Sequence, residues 1–321
     1  MLIDQFNRKA DYLRLAITDR CNLRCRYCMP AEGIDFSARK DLLSYEEIIL
    51  LAKCFKDLGT NKLRITGGEP FSRKDFPKLL EELTSIFDNL YITTNAVLIE
   101  KHVDLMKNLG VKGLNISLDT LQREKFAFIT RRDEFSKVID NIDKCLAAQL
   151  PIKINCVVMK GINDDEITDF IKFGKEKGIE IRFIEAMPFN ESDGNYDQFL
   201  SIENIEAYIA KKYNFEKLTS DKPSAAIRYK IDNFPFAIIP AYSRLMCGTC
   251  NRIRLTPKGD FLTCLYAEKG ISLRDIIRNT KDENQLIKAI KEAVFNKKES
   301  GHEEEKARDE KVFRSMTTIG G

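Results

Sequence analysis

The chain has 321 residues, of which 43% are hydrophobic, 31% are charged and 9% are aromatic. This composition is typical of a soluble globular protein, and the length suits one large α/β barrel or two ordinary domains. A formal net charge of +3 argues against broad nucleic-acid binding, and no apolar run reaches the roughly 20 residues that a membrane span requires. The N-terminus carries charges where a signal peptide has an apolar stretch, so we expect a cytoplasmic protein.

Apolar strand-like runs alternate with stretches of helical period over the first part of the chain. Six strands are predicted, at 12–18, 62–66, 90–94, 113–118, 152–159 and 179–187. The helices predicted between them lie at 44–59, 76–87, around His102, at 135–149 and at 165–178. This alternation predicts six βα units with a parallel sheet. We predict an incomplete TIM-like (βα)6 barrel, and a doubly wound six-stranded sheet is the alternative on the pattern alone.

The regular alternation of predicted strands and helices ends after about residue 190. A helix is predicted at 201–213, followed by the short strand-like runs AIRYKI, FAIIP, RIRL and FLTCL and by helices near 272–279 and 282–295. We therefore predict two domains, a partial barrel over 1–225 and a smaller α+β C-terminal module over 226–321.

Six of the nine cysteines form two groups of three. The first group is Cys21, Cys25 and Cys28 in CNLRCRYC, directly after the first predicted strand; the second is Cys247, Cys250 and Cys264. A structural zinc site needs four protein ligands, whereas a [4Fe–4S] cluster on three cysteines keeps one iron open. We predict a cluster on each group, with zinc as the alternative. Cys54, Cys145 and Cys156 lie in apolar stretches and are predicted to be buried core thiols.

CNLRCRYC after a first strand resembles the signature of the radical S-adenosylmethionine (radical SAM) enzymes, and ITGGEP after the second strand resembles their methionine-binding motif. The resemblance implies that S-adenosylmethionine binds the open iron of the first cluster and is cleaved to a 5′-deoxyadenosyl radical. It also implies a set of S-adenosylmethionine contacts, namely Tyr27, Gly67, Gly68, Glu69, Ser117 and Met187.

Cationic side chains recur inside the predicted strands. They are Arg14, Lys62, Arg64, Lys153 and Arg182 in the barrel and Arg252 and Arg254 in RIRL. Lysine and arginine are uncommon within strands unless they are paired or face a charged ligand. Each one alone is compatible with a solvated or salt-bridged residue, but together they favour a polyanion such as a nucleoside triphosphate.

The whole set of motifs, from LRLAITDRCNLRCRYCMP to CGTCNRIRLTPKGDFLTCL and the final IGG, is similar in order to the GTP 3′,8-cyclase family, which begins molybdenum cofactor biosynthesis. The resemblance implies that the radical takes hydrogen from ribose C3′ of GTP and that the carbon radical attacks C8 of the guanine, which docks on the second cluster. It implies GTP contacts from the cations above together with Thr93. It assigns catalytic roles to Arg14, Gly320 and Gly321, the last two in a tail that enters the cavity.

The same resemblance implies a flavodoxin- or ferredoxin-type electron donor and a product recipient, cyclic pyranopterin monophosphate synthase, and leaves a homodimer open. The alternative functions are a radical SAM peptide- or protein-modifying maturase with an auxiliary cluster, and a non-enzymatic iron–sulfur or zinc redox sensor. One departure from the family concerns Ala96, which stands where the family has glycine, so that a positive φ at this residue would be costly.

Overall fold

The computed structural model describes residues 1–187, 198–219, 223–280, 282–307 and 315–320. Six βα units come first in the chain. Their strands are β1 (Tyr12–Ala16), β2 (Lys62–Thr66), β3 (Asn89–Thr94), β4 (Gly113–Ser117), β5 (Ile152–Val158) and β6 (Glu180–Glu185). The helices of this part are α1 (Tyr45–Asp57), α2 (Phe76–Ile86), α3 (Val103–Asn108), α4 (Arg123–Thr130), α5 (Phe135–Ala147) and α6 (Ile167–Lys177).

Short strands and helices follow the sixth unit. The strands are β7 (Glu216–Leu218), β8 (Ile227–Ile231), β9 (Phe234–Ile239), β10 (Arg252–Leu255), β11 (Asp260–Leu262) and β12 (Ile271–Ser272). The helices are α7 (Ile202–Ala210), α8 (Leu273–Thr280), α9 (Glu283–Phe295), α10 (Gly301–Lys306) and α11 (Met316–Ile319). No helix among the described residues is both long enough and apolar enough to cross a membrane.

Strands β1 to β6 lie side by side in the sheet in the same order as in the chain. The order of the whole sheet is β12-β11-β10-β1-β2-β3-β4-β5-β6-β9-β8-β7, and all pairs from β10 through β1 to β6 and β9 are parallel. The incomplete TIM-like barrel is thus confirmed. The doubly wound alternative is wrong, because it would reverse the strand order within the six units.

The last third of the chain extends this same sheet at both edges. Strand β9 pairs with β6, and β10 pairs with β1. The predicted boundary at residue 225 therefore falls between strands that belong to one sheet, and the division into two domains stays a prediction.

Alternation along the strands separates the core from the barrel interior. In β1, Leu13 and Leu15 are each 1% exposed and belong to the main apolar core, whereas Tyr12 and Arg14 point to the opposite face. The helices cover the apolar face of the sheet. The three cysteines outside the two groups are buried, as predicted.

Local sequence explains several element boundaries. Ser44 and Glu47 form a reciprocal capping box at the start of α1, and Gly178 ends α6 in the left-handed conformation. Ala96 has a φ of +63° although it is not glycine, and its methyl group is fully buried. The positive φ costs about 1 kcal/mol, which burial of the methyl group offsets by a similar amount.

Five short elements were not predicted, namely α4, α10, α11, β7 and β12. Helix α10 reads GHEEEK and has no apolar period, and α11 has only four residues. Elements this short or this polar carry no periodic signal, because tertiary contacts rather than an amphipathic pattern stabilise them.

Candidate active site

The first cysteine group lies in the loop that leaves β1. Its turn is closed by the amides of Cys28 and Met29, which both donate to the carbonyl of Cys25, at 2.9 and 3.1 Å. The Asn95 amide nitrogen lies 3.6 Å from Cys21 Sγ, and Ser315 Oγ lies 3.9 Å from Cys28 Sγ. The Tyr27 side chain is within hydrogen-bonding reach of Cys25. Polar groups therefore approach all three sulfurs, as suits thiolates that hold a metal centre.

Burial controls the ionisation of this group. It raises the pKa of Cys21 to about 12, with a further contribution from the Glu69 carboxylate, and it also raises the pKa values of Cys25 and Cys28. Thiols in such surroundings stay protonated unless a positive centre replaces the proton. The loop thus suits a bound metal cluster rather than free thiolates.

Hydrogen-bond donors also surround the second cysteine group. Amides lie 3.4 Å from two sulfurs, that of Gly301 from Cys247 and that of Tyr266 from Cys264. Lys297 is 3% exposed, and its ammonium group lies 3.7 Å from Cys250 Sγ. Burial alone would raise the pKa of Cys250, but Arg252 and Lys297 outweigh it and lower the pKa to about 6.

Both histidines of the chain are engaged away from these sulfurs. His302 Nδ1 lies 2.8 Å from Arg244 Nη1, and the His102 ring stacks on Phe71. Each group thus offers three soft sulfur donors with N–H groups around them, which fits an iron–sulfur cluster on three thiolates.

Helix α11 connects the two cysteine groups. At its start, Ser315 and the amides of Met316 and Thr317 face Cys28. Ile319 packs in a small apolar cluster with Tyr266 and Cys264, and Met316 packs against the same cluster. Four helical residues span about 6 Å, so both cysteine groups lie beside one short helix, and we call the space between them the chamber.

The predicted tail residue Gly320 lies inside this chamber. Its carbonyl oxygen accepts hydrogen bonds from Arg14 Nε, at 3.3 Å, and from Arg254 Nη1. A Cβ on Gly320 would come within 3.1 Å of Ala16 and within 3.0 Å of Thr66, at the carboxyl ends of β1 and β2. Gly321, predicted with it, lies outside the described residues.

Gly67 and Gly68 are required for backbone packing. A Cβ on Gly67 would lie 2.4 Å from the Thr18 carbonyl oxygen, and one on Gly68 would lie 2.2 Å from that of Arg20. The amides of Gly68 and Glu69 donate to these same two carbonyls, at 2.7 and 2.8 Å. The GGEP segment therefore supports the base of the first cysteine loop, whatever ligand it also contacts.

The Glu69 side chain is fully buried. Its carboxylate accepts hydrogen bonds from Thr94 Oγ1, at 2.8 Å, and from the amides of Asn95 and Phe71, at 2.7 and 3.2 Å. Burial outweighs these bonds and raises the pKa of Glu69 to about 7. A cationic group beside this carboxylate would restore its charge.

The other predicted S-adenosylmethionine contacts lie around the chamber. Tyr27 donates to Asp119 Oδ2 at 2.9 Å and borders an apolar cluster that includes Met159. Ser117 ends β4 and is half-buried. Met187 Sδ accepts a hydrogen bond from the Tyr266 hydroxyl at 3.5 Å, so it lies on the side of the second cysteine group.

The predicted cations of three neighbouring strands share two rows of the sheet. Arg254, Arg14 and Arg64 are direct partners across β10, β1 and β2. The next row contains Arg252, Tyr12 and Lys62. Side chains in register on one face of a sheet lie close together, so these cations form one cluster.

This cluster has an excess of positive charge. Burial and neighbouring arginines lower the pKa of Arg14 to about 10 and that of Arg254 to about 9. Burial would raise the pKa of Tyr12, but Arg64, Arg14 and Lys62 lower it to about 7. A polyanion in the chamber would relieve the repulsion that these pKa values report.

Lys153 and Arg182 are in different surroundings from the other cations. Both pair with Glu180, each at 2.7 Å, and Arg228 joins them at 2.9 Å. Burial would raise the pKa of Glu180, but Arg182 and Lys153 lower it to about 2. Glu180 was not predicted, although its position two residues before Arg182 in β6 places both side chains on the same face; its pairing with Lys153 depends on β5 being the neighbouring strand.

Thr93 and Tyr12 complete the cationic cluster. Thr93 Oγ1 accepts from Arg64 Nη1 at 3.3 Å, and the Tyr12 hydroxyl oxygen accepts from Arg64 Nε at 2.6 Å. Thr93 was predicted. Tyr12 was not, although its position two residues before Arg14 in a strand places it on the same face.

Two family models match consecutive parts of the chain. The family model for the radical SAM superfamily matches residues 15–174, and the one for Molybdenum Cofactor Synthesis C matches residues 179–303. A Clostridium botulinum protein named GTP 3′,8-cyclase is 41% identical, and the alignment covers 100% of both chains. The chain belongs to the GTP 3′,8-cyclase family.

Other relatives in the family are longer than this chain. An Arabidopsis thaliana protein named GTP 3′,8-cyclase, mitochondrial, is 41% identical over 93% of this chain and 78% of its own. The Dictyostelium discoideum molybdenum cofactor biosynthesis protein 1 is 42% identical over 94% of this chain, which spans 49% of that relative.

Solved structures share the fold. Streptococcus suis SuiB bound to its precursor peptide SuiA has a TM-score of 0.63 at 16% identity, over 98% of this chain and 70% of that one. SuiB bound to S-adenosylmethionine has a TM-score of 0.56 at 19% identity, over 80% of this chain and 61% of that one.

Substitution of Gly68 tests the support of the first cysteine loop. Gly68→Ala should displace Arg20, next to Cys21, and lower the iron content after anaerobic reconstitution from about eight to about four atoms per chain. The matched control is Gly248→Ala, which adds a methyl group beside Cys247 with no atom within 4 Å. Circular dichroism checks that both variants fold. Full iron content in Gly68→Ala would contradict the assigned role.

Substitution of Tyr12 tests the charge of the cluster. Because the folded-state pKa of Tyr12 is lowered from 10.0 to about 7, its phenolate adds stability that is absent below about pH 7 and complete above about pH 10. The quantity to compare is the free energy of unfolding of the wild type minus that of Tyr12→Phe. Without substrate, this difference should therefore increase between about pH 6 and about pH 9. Denaturant titrations at both pH values measure it, and a constant difference would contradict the lowered pKa.

Proposed function

We propose that this protein converts GTP to (8S)-3′,8-cyclo-7,8-dihydroguanosine 5′-triphosphate, the first step of molybdenum cofactor biosynthesis. The proposal is supported by full-length similarity to a relative of that name, together with two open cysteine groups facing one cationic chamber. The cofactors are two [4Fe–4S] clusters and S-adenosylmethionine.

The two cysteine groups have different tasks. Cys21, Cys25 and Cys28 hold the first cluster, and Cys247, Cys250 and Cys264 hold the second, beside which the guanine docks. When bound, the first cluster and S-adenosylmethionine supply the 5′-deoxyadenosyl radical that takes hydrogen from ribose C3′. Tyr27, Gly67, Gly68, Glu69, Ser117 and Met187 orient S-adenosylmethionine.

The cationic cluster binds the triphosphate. Arg14, Arg64 and Arg254 form one row and Lys62 and Arg252 the next, so their charges converge on a single volume. Thr93 positions the Arg64 guanidinium through its hydroxyl. Lys153 and Arg182, held by Glu180, contact the nucleotide from the opposite strands, β5 and β6.

The C-terminal tail positions the reacting groups. Gly320 holds Arg14 and Arg254 through its carbonyl, and α11 covers the space between the cysteine groups. With Gly321, the tail orients the Arg14 guanidinium toward the bound nucleotide and excludes water from the site. These roles make Arg14 and the diglycine the catalytic residues of the proposal.

The proposal includes an electron donor, a recipient of the product and a cellular location. A flavodoxin or ferredoxin supplies the electron, and cyclic pyranopterin monophosphate synthase takes the product. The protein acts in the cytoplasm, either as a monomer or as a homodimer. The peptide-modifying alternative receives no support from SuiB, because 16–19% identity shows the fold alone.

An isotope experiment tests the reaction. The anaerobic protein is incubated with S-adenosylmethionine, dithionite and GTP that carries deuterium at C3′. The product has the same atoms as GTP apart from this deuterium, which solvent hydrogen replaces, so its mass should fall by one unit. The 5′-deoxyadenosine formed should gain that unit. GTP labelled at C2′ is the matched control, and unlabelled 5′-deoxyadenosine from C3′-labelled GTP would contradict the proposal.

A further inference from the structure

A basic groove of about 980 Å³ lies outside the barrel, beside the first cysteine loop. Seven of its lining side chains are cationic and only Glu46 and Asp75 are acidic. The formal net charge of the entire chain is +3, so positive charge is concentrated on this face. The exposed cations of the groove are Arg20, Arg39, Lys40, Lys74, Lys78 and Arg278.

Several of these charges are uncompensated. Arg278 pairs with Glu47 at 2.6 Å, and Lys78 lies 3.6 Å from Asp75. Within the described ranges, Arg39, Lys40 and Lys74 form no ion pair. Exposed like charges on one face attract an acidic partner and accelerate its association.

The floor of the groove is fixed to the first cysteine loop. The seventh cation, Arg73, is half-buried; its guanidinium donates to the carbonyls of Ile17 and Leu43 and lies over the Tyr45 ring. Arg20, at the rim, directly precedes Cys21. Arg20 of the groove and Cys21 of the first cysteine group are therefore adjacent residues, and the groove lies close to that group.

Other sides of the cysteine loop are covered. On one flank, the amides of Arg24 and Arg26 donate to the carbonyls of Thr130 and Ile129 in α4, both at 2.9 Å. On the chamber side, Ser315 and α11 face Cys28. The groove side differs, because six of its lining cations are exposed within the described part of the chain and can contact another protein.

We propose that this groove docks an acidic one-electron carrier protein, which reduces the centre held by Cys21, Cys25 and Cys28. The inference rests on the proposed function and adds the place of electron entry. A reduced flavin or iron–sulfur carrier loses one electron, and the centre gains it; no atom is transferred. A free phosphate compound or RNA would use the same charges, and both are outcomes of the test below.

The test compares two triple charge reversals in the reconstituted protein. The groove variant is Arg39→Glu/Lys40→Glu/Lys74→Glu. The matched control is Lys160→Glu/Lys172→Glu/Lys211→Glu, which reverses exposed lysines that do not line the groove. With a reduced flavodoxin as the probe, bleaching of the cluster absorbance should be at least about tenfold slower in the groove variant at low salt. The control should stay within about twofold of the wild type.

Dithionite separates this inference from the proposed function. It is small and needs no docking surface, so both variants should form 5′-deoxyadenosine from S-adenosylmethionine and dithionite at the wild-type rate. Equal bleaching of all three proteins by flavodoxin would overturn the inference, as would an equal loss with dithionite. Binding of tripolyphosphate or RNA at the groove without flavodoxin binding would also overturn it. A wild type that flavodoxin reduces but that leaves GTP unchanged would contradict the proposed function alone.

Discussion

The site depends on bringing two cysteine groups, distant in sequence, to the same four-residue helix. Helix α11 faces Cys28 at its start and packs against the Cys264 cluster through Met316 and Ile319. The parallel sheet makes this meeting possible, because β10, which follows Cys250, pairs with β1, which precedes Cys21. The carboxyl end of β1 and the end of the chain thus share one chamber.

Electrostatics explains why this chamber suits a polyanion. Two rows of cations lie in register on strands β10, β1 and β2, and the lowered pKa values of Arg14 and Arg254 report their mutual repulsion. Gly320 contributes a carbonyl dipole and Tyr12 a readily ionised hydroxyl to offset it. Lys153 and Arg182 differ, because Glu180 already balances them.

Much of this arrangement could be predicted from the sequence. Six βα units were visible because buried parallel strands and amphipathic helices have clear periods, and the cysteine spacings are local patterns. The pairing of Glu180 with Lys153 and Arg228 could not be predicted, because it depends on which strands become neighbours. Helix α11 gave no periodic signal, and the basic groove collects charges from segments that are separate in sequence. Ala96 adopts a left-handed conformation although its side chain makes this conformation costly, and the sequence did not show this.

The most direct test of the central claim is the Mössbauer spectrum of protein reconstituted anaerobically with the Mössbauer-active iron isotope. The account predicts about eight irons per chain in two cubes. One iron of the first cube should change its signal when S-adenosylmethionine is added, and one iron of the second when GTP is added. A single cube accompanied by zinc, or two cubes whose signals ignore both ligands, would contradict it.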